Sequence, residues 1–291
     1  MTLDTIRKGV RNPGKAGRYL AQEVRLRSMD AALRTFLPSH RELFERNVKP
    51  RDEYLLVVLD ACRYDVFREV GHLFLSGDLS PAYTPVRDTF EYVQTMWRGE
   101  SDVTYVSGAV PINSVKKSDW TDTDAGLYDG YNPSEHIADI VDAWKMGWDD
   151  DLGTVPPEAV ADIVLDHDDE DRLIAHFFQP HAPYIGENQL LGYTGEDHRP
   201  HRGNPNDARI WERVKRGEIS DRELRAAYRS NLLRALRSVR ELVERTRHDT
   251  VLVTADHGEA LGEYGTYAHP RSATHHPKVH VVPFLEVDAD A

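Results

Sequence analysis

Cysteine is nearly missing from this 291-residue chain: Cys62 stands alone, so no disulfide forms within it and a disulfide-stapled scaffold is excluded. Lysine is scarce as well; of 36 basic residues only eight are Lys and 28 are Arg. No run approaches the roughly 18 to 20 consecutive apolar residues of a membrane span, and Met1 to Arg27, studded with Arg and Lys, has no apolar signal core. These absences predict a soluble, cytoplasmic protein that no cleaved signal exports. Positive charge is in deficit overall, since 49 Asp and Glu leave a net charge of -13 and a mean hydropathy of -0.58. That balance disfavours a general affinity for nucleic acid phosphates. An acidic, Lys-poor surface suits concentrated salt, where carboxylates hold water and their repulsion is screened, so a salt-loving cytoplasm is expected.

What the chain has is an alternation of short apolar runs and helical patterns. Residues 1–50 mix basic and apolar positions without a strand pattern and are read as an N-terminal helical segment. Their basic face packs on the rest of the domain or makes a peripheral contact with an anionic membrane. Residues 51–291 are read as the catalytic domain. Tyr54 to Leu59 (YLLVVL) is apolar at every position, as in parallel strands buried on both faces. Similar runs recur at Val103 to Val106, Leu173 to Phe178, Thr250 to Thr254 and Val279 to Leu285. Between them helices are predicted at Ser134 to Trp144 and at Ser220 to Thr246, whose apolar residues recur at three- and four-residue steps. Gly195 to Gly217 is polar and Arg-rich and is read as a surface loop. The fold class that follows is α/β, a three-layer sandwich around a mostly parallel central sheet.

Ligands of such sheets gather beyond the carboxyl ends of the strands. YLLVVL ends in Asp60, TVLVT is followed by Asp256-His257-Gly258-Glu259, and LIAHFF is followed by Gln179-Pro180-His181. Asp60, Asp256 and His257 are a hard-oxygen and imidazole set suited to a divalent ion, one or two of Zn, Mn, Ca or Mg. Gly258 permits the turn that convergence of Asp256 and His257 requires. His176, inside LIAHFF, reads as a satisfied core histidine, and of His275 and His276 at most one can reach a site, because neighbours on an extended segment point to opposite faces.

The string VTADHGEALGEYG, Val253 to Gly265, resembles the metal-binding segment of sulfatases and related members of the alkaline phosphatase superfamily. YLLVVLDACRYD resembles that family's first strand with its metal-binding Asp, FFQPHAPY its H-x-P-Y motif, and His269 followed by Lys278 and Val282-Pro283 its closing segment. The likeness spans about residues 52 to 287. It implies an alkaline phosphatase-like fold and a metal-dependent hydrolase or transferase of phosphate or sulfate esters. The family's nucleophile precedes a glycine by ten residues; Thr89 stands in that relation to Gly99, with Asp88 as the cap of the helix that follows, while Thr84 is the alternative. The likeness also makes His181 a contact to the substrate or its leaving group, His269 a second-metal ligand or substrate-side donor, and Lys278 a partner of non-bridging oxygens. Arg63 is a candidate substrate contact or a salt-bridge residue.

Two departures shape the expectation. Cys62 lacks the C-x-P-x-R surroundings of a formylglycine precursor, and Ala61 stands where many sulfatases carry a second Asp, leaving Asp65 or another group to replace it. The bet therefore moves from sulfate towards phosphate, on a small-molecule, glycan or lipid-headgroup ester. Sulfate hydrolysis without formylglycine and a non-catalytic sugar-phosphate-binding member are the other readings.

Overall fold

The computed structural model describes residues 13–119, 128, 130–191, 205–270 and 274–288. Helices α1 (Pro13–Phe36) and α2 (His40–Asn47) come first; β1 (Tyr54–Leu59), α3 (Tyr64–Val70), β2 (Gly77–Tyr83), α4 (Thr89–Met96), β3 (Ser101–Ser107) and β4 (Ile137–Val141) follow. The second half holds α5 (Ala143–Met146), α6 (Pro157–Leu165), β5 (Arg172–Phe177), α7 (Pro205–Lys215), α8 (Asp221–Arg245), β6 (Val251–Ala255), β7 (Ala260–Leu261), β8 (Tyr267–Ala268), α9 (Pro277–His280) and β9 (Val281–Val287).

Seven strands form one sheet in the order β2-β9-β6-β1-β5-β3-β4. Neighbours from β6 to β4 are parallel, whereas β9 runs antiparallel to both β6 and β2. Every residue of β1 and β6 is buried. Successive strand residues face opposite sides, so the sheet is covered on both. This is the mostly parallel α/β sandwich expected from the sequence. Each fully buried aliphatic side chain contributes about 1.5–3 kcal/mol, which is why so short a strand as YLLVVL can centre the core. No helix among the described residues is long and apolar enough to cross a membrane.

Helix α8 starts with a capping box: the Ser220 hydroxyl accepts from Glu223 N, and the Glu223 carboxylate accepts from Ser220 N at 2.8 Å. Helix α2 is built into the same core, for Phe44 and the C-cap residue Val48 pack with β1. Tyr83 N donates to Pro38 O at 2.9 Å.

Three expectations are corrected and one strand is added. Ser134 to Trp144 is not a helix but a short 3-10 turn, strand β4 and the start of α5. Ile137, Ile140 and Val141 are spaced as on a helix face, and pairing with β3 overrides that spacing. Of the loop expected at Gly195 to Gly217, Pro205–Lys215 is helix α7, and its first residues lie outside the described ones. The last strand begins at Val281, because Pro277 opens a turn of helix before it. Strand β2, with Pro81 in it, was not expected; it lies at the sheet edge, where a missing N–H is tolerated.

Candidate active site

Strands β6, β1 and β5 run in register, Leu59 lying opposite both Phe177 and Ala255. The next residues of β1 and β6, Asp60 and Asp256, therefore leave the sheet side by side at its carboxyl edge. Both are buried, 2% and 0% exposed. Asp256 Oδ1 accepts from Ala61 N at 2.9 Å and from His257 N at 2.7 Å. Ala61 presents that N–H from a left-handed conformation, φ 59°, which costs a residue with a Cβ about 1 kcal/mol or more. Tyr228 holds the turn, its hydroxyl donating to Ala61 O at 2.7 Å and accepting from Arg63 N at 2.9 Å. Burial alone would raise the Asp256 carboxyl, but His257, His176 and the hydrogen bonds from Ala61 and Thr89 outweigh it and hold the group below the usual range.

Thr89 is the first residue of α4, behind an Asp88 cap whose carboxylate accepts from Glu91 N at 2.8 Å. Its hydroxyl donates to Asp256 Oδ2 at 2.8 Å and lies 3.4 Å from Asp60 Oδ2. Thr84 is tied elsewhere: its N donates to His280 O at 2.9 Å and its carbonyl faces His280 Nδ1 at 2.9 Å.

Three imidazoles line up beside the carboxylates. His257 Nε2 is 3.4 Å from Asp256 Oδ2 and 3.7 Å from Asp60 Oδ1, while its Nδ1 is 2.9 Å from Gly258 O. A carbonyl only accepts, so Nδ1 carries a proton, and Nε2 is the nitrogen turned to the carboxylates. Gly258 is required because a Cβ there would come within 2.1 Å of the Lys278 carbonyl. His269 packs on His257 with ring centroids 4.4 Å apart, and its Nε2 is 3.3 Å from His181 Nε2. Burial and its two imidazole neighbours hold His269 well below the usual histidine value, so it is neutral. His181 is placed by Asn231, whose amide donates to the carbonyls of Pro180 and His181, both at 3.1 Å.

The remaining candidates lie apart from this cluster. The Arg63 guanidinium, 4% exposed, is held by Asp65 at 2.8 Å and by Glu263 at 2.9 Å. Lys278 Nζ donates to the same Asp65 at 2.6 Å. The two carboxylates and two cations form a network under the Glu263 turn, so Asp65 does not stand in for the Asp absent at position 61. Neither His275 nor His276 joins the carboxylate pair: the first contacts Asp30 at 2.9 Å, the second the Glu263 carbonyl at 3.2 Å. Cys62 is buried, and burial pushes its thiol well above the usual value, leaving it an inert neutral group.

The residues at the strand ends fit a divalent ion. His257 Nε2 is fully buried without a hydrogen-bond partner, facing two carboxylates. A buried imidazole nitrogen without a hydrogen bond costs about 1–3 kcal/mol, which a divalent ion shared with the carboxylates would offset. Asp60, His176 and Asp256 also form a group whose ligand atoms lie within 4.8 Å of one another, close enough to share an ion. His176, read as a satisfied core histidine, is fully buried as expected, but its Nε2 has no hydrogen-bond partner and it lies beside the two carboxylates. The available signal was parity: His176 and Thr254 both pair with Val58, and Asp60 and Asp256 stand two residues beyond Val58 and Thr254, so all face one side of the sheet.

No protein-family model matches the chain, and no curated protein matches it. Among solved structures it is similar to the soluble domain of lipooligosaccharide phosphoethanolamine transferase A from Neisseria meningitidis, with 15% identity and a TM-score of 0.44 over 81% of this chain and 76% of that one. It is also similar to a 2-O GAG sulfatase (14% identity, TM-score 0.46, 82% of this chain and 64% of that one). A third is a protein of the alkaline phosphatase superfamily from Vibrio parahaemolyticus (10% identity, TM-score 0.38, 82% and 60%). The chain thus spans less than two thirds of the latter two.

Proposed function

We propose that the chain is a metal-dependent hydrolase or transferase of phosphate esters that works through a phosphothreonine at Thr89. The observation that carries this reading is the buried Thr89 hydroxyl, 2.8 Å from Asp256 Oδ2 at the first turn of a capped helix. An ordinary helix residue has no need of such a partner. In this reading Thr89 Oγ1 gives its proton to Asp256 and forms a bond to phosphorus as the bond to the leaving alcohol breaks. The departing oxygen takes a proton from His181, which His269 flanks at 3.3 Å. Water or a second alcohol then attacks the phosphothreonine, restoring the hydroxyl. The N–H groups of the first turn of α4 and the helix dipole favour the anionic phosphoryl oxygens. Asp60, Asp256 and His257, with His269 towards a second position, would hold one or two of Zn, Mn, Ca or Mg. Such an ion would lower the threonine's pKa and neutralise charge developing on phosphorus.

Arg63 and Lys278, already paired with carboxylates, serve in this reading to shape the substrate-side turn. The substrate class is a small-molecule, glycan or lipid-headgroup ester, met by a cytoplasmic enzyme lying against an anionic membrane through its N-terminal segment. What supports the last point is that residues 1–27 carry seven basic and two acidic residues, while Leu20 and Val24 on the outer face of α1 are 55% and 63% exposed. Sedimentation with vesicles containing anionic lipid, but not with zwitterionic ones, is the expected behaviour.

The enzymatic reading is tested with phosphodiester and sulfate-ester chromogenic substrates and intact-protein mass spectrometry. Thr89→Ala should lose turnover by about 1000-fold or more and form no phosphorylated species. Full turnover by Thr89→Ala removes the covalent mechanism, and a sulfate preference in the parent protein removes the phosphate assignment. Failure of every ester leaves a binding member of the fold.

A further inference from the structure

Between the two aspartates and the centre of the sheet lies a buried histidine to which the mechanism above gives no task. His176 is in the middle of β5 and 0% exposed. Its Nδ1 is 2.8 Å from the Tyr105 hydroxyl of the neighbouring β3, and its Nε2 has no hydrogen-bond partner. The ring is walled by aromatic neighbours, Tyr92 at 6.2 Å and Tyr105 at 5.9 Å between centroids. A histidine used only to fill a core would be expected to satisfy both nitrogens or give way to Phe or Leu, because an orphaned buried polar atom costs about 1–3 kcal/mol. The strand register turns its ring to the face from which Asp60 and Asp256 project, and one ligand atom from each of the three lies within 4.8 Å of the others.

We propose that His176 Nε2 is a ligand of the ion held by Asp60 and Asp256, with Tyr105 accepting from Nδ1–H to fix the ring and its tautomer. This rests on the metal-dependent reading of the site but adds a ligand from the sheet interior to those at its edge. The arrangement matches that of His257, which also anchors Nδ1 on an oxygen and turns Nε2, without a hydrogen bond, towards the same carboxylates. The two imidazoles come from β5 and the end of β6, the strands on either side of β1, which carries Asp60 at its end. Anchoring the distal nitrogen on an oxygen is how proteins orient metal-bound imidazoles, and loss of such an anchor weakens metal binding by about 10- to 100-fold.

The test titrates metal-stripped full chain with zinc against a chromophoric chelator and reads the imidazole count at one equivalent of zinc by X-ray absorption. The parent chain should show two imidazoles. His176→Phe should lose one and weaken zinc by at least about 100-fold, while Tyr105→Phe keeps both and weakens it by about 10-fold. Without zinc, His176→Phe should melt no lower than the parent, which separates a ligand from a packing residue. Parent-like zinc affinity and imidazole count in His176→Phe overturn the proposal, and if that variant does not fold, a single imidazole in the parent chain does so alone. In both cases loss of zinc in Asp256→Asn leaves the metal reading of the active site standing. A parent chain that binds no zinc overturns both.

Discussion

His40 shows how one residue ties stability to pH. It is 1% exposed, its Nε2 lies 2.9 Å from Thr254 Oγ1, and it stacks on Tyr92 at 6.2 Å. Burial, opposed only by the charge of Asp256, pushes its value from 6.5 down to about 4. In the unfolded chain the ring is protonated as pH falls below 6.5, whereas in the folded chain it stays neutral until about 4. The unfolded state therefore binds more protons in that window, and stability falls as pH falls. At about 1.4 kcal/mol per unit, His40 alone should cost about 2 kcal/mol between pH 7 and pH 5. Urea unfolding at the two pH values measures this. His40→Leu should have a loss smaller by that amount, and an unchanged loss would show that the imidazole does not titrate in this window.

Among the elements, legibility followed burial. Strands β1, β3, β5 and β6 were readable because a parallel strand covered on both faces must be apolar throughout, and α8 because one face of a long helix repeats. Edge strands carry no such signature: β4 reads as a helix, and β2 mixes Gly, Asp, Ser and Pro. The site followed the same logic. Asp60, Asp256 and His257 were visible as candidates because polar residues abruptly end apolar runs, whereas the nearness of His176 to the carboxylates was not, because it sits inside one. Also invisible was the clasp on α1. Asp30, 4% exposed, accepts from the Tyr83 hydroxyl at 2.7 Å and contacts His275 Nδ1 at 2.9 Å and Arg34 at 3.2 Å, while Gln22 donates to Tyr264 O at 2.6 Å. These partners are more than 50 residues away in sequence, except Arg34, and no local pattern announces them. The described residues between these anchors, Tyr264 to Pro270, include His269 of the candidate site. Asp30→Ala strips the charge from a buried, hydrogen-bonded network and should cost about 3 kcal/mol. Hydrogen exchange should rise together in α1 and in residues 264–276. Faster exchange in α1 alone would show that the helix does not brace the site segment.

At the scale of the whole molecule, charge is unevenly shared. Residues 1–27 carry seven basic and two acidic residues, so the remaining chain has 29 basic against 47 acidic residues, a balance of -18 within the total of -13. Two effects of salt oppose each other on such a surface. Screening weakens the exposed ion pairs, such as Arg247 with Glu53 at 2.7 Å and with Asp171 at 2.9 Å, but exposed pairs contribute only about 0–1 kcal/mol each. Screening also relieves the mutual repulsion of the surplus carboxylates, a term that grows with the square of net charge and acts over the whole surface. As the Debye length shrinks from about 8 Å at 0.15 M to about 3 Å at 1 M, the second effect should dominate. The melting temperature should therefore climb steadily from 0.1 M to about 3 M KCl, with most of the gain below about 1 M if screening is the cause. A further rise above that concentration would point to water and ions organised by the carboxylates themselves. Maximal stability at low salt would mean that the ion pairs outweigh the repulsion, and the salt-loving reading of the composition would fall with it.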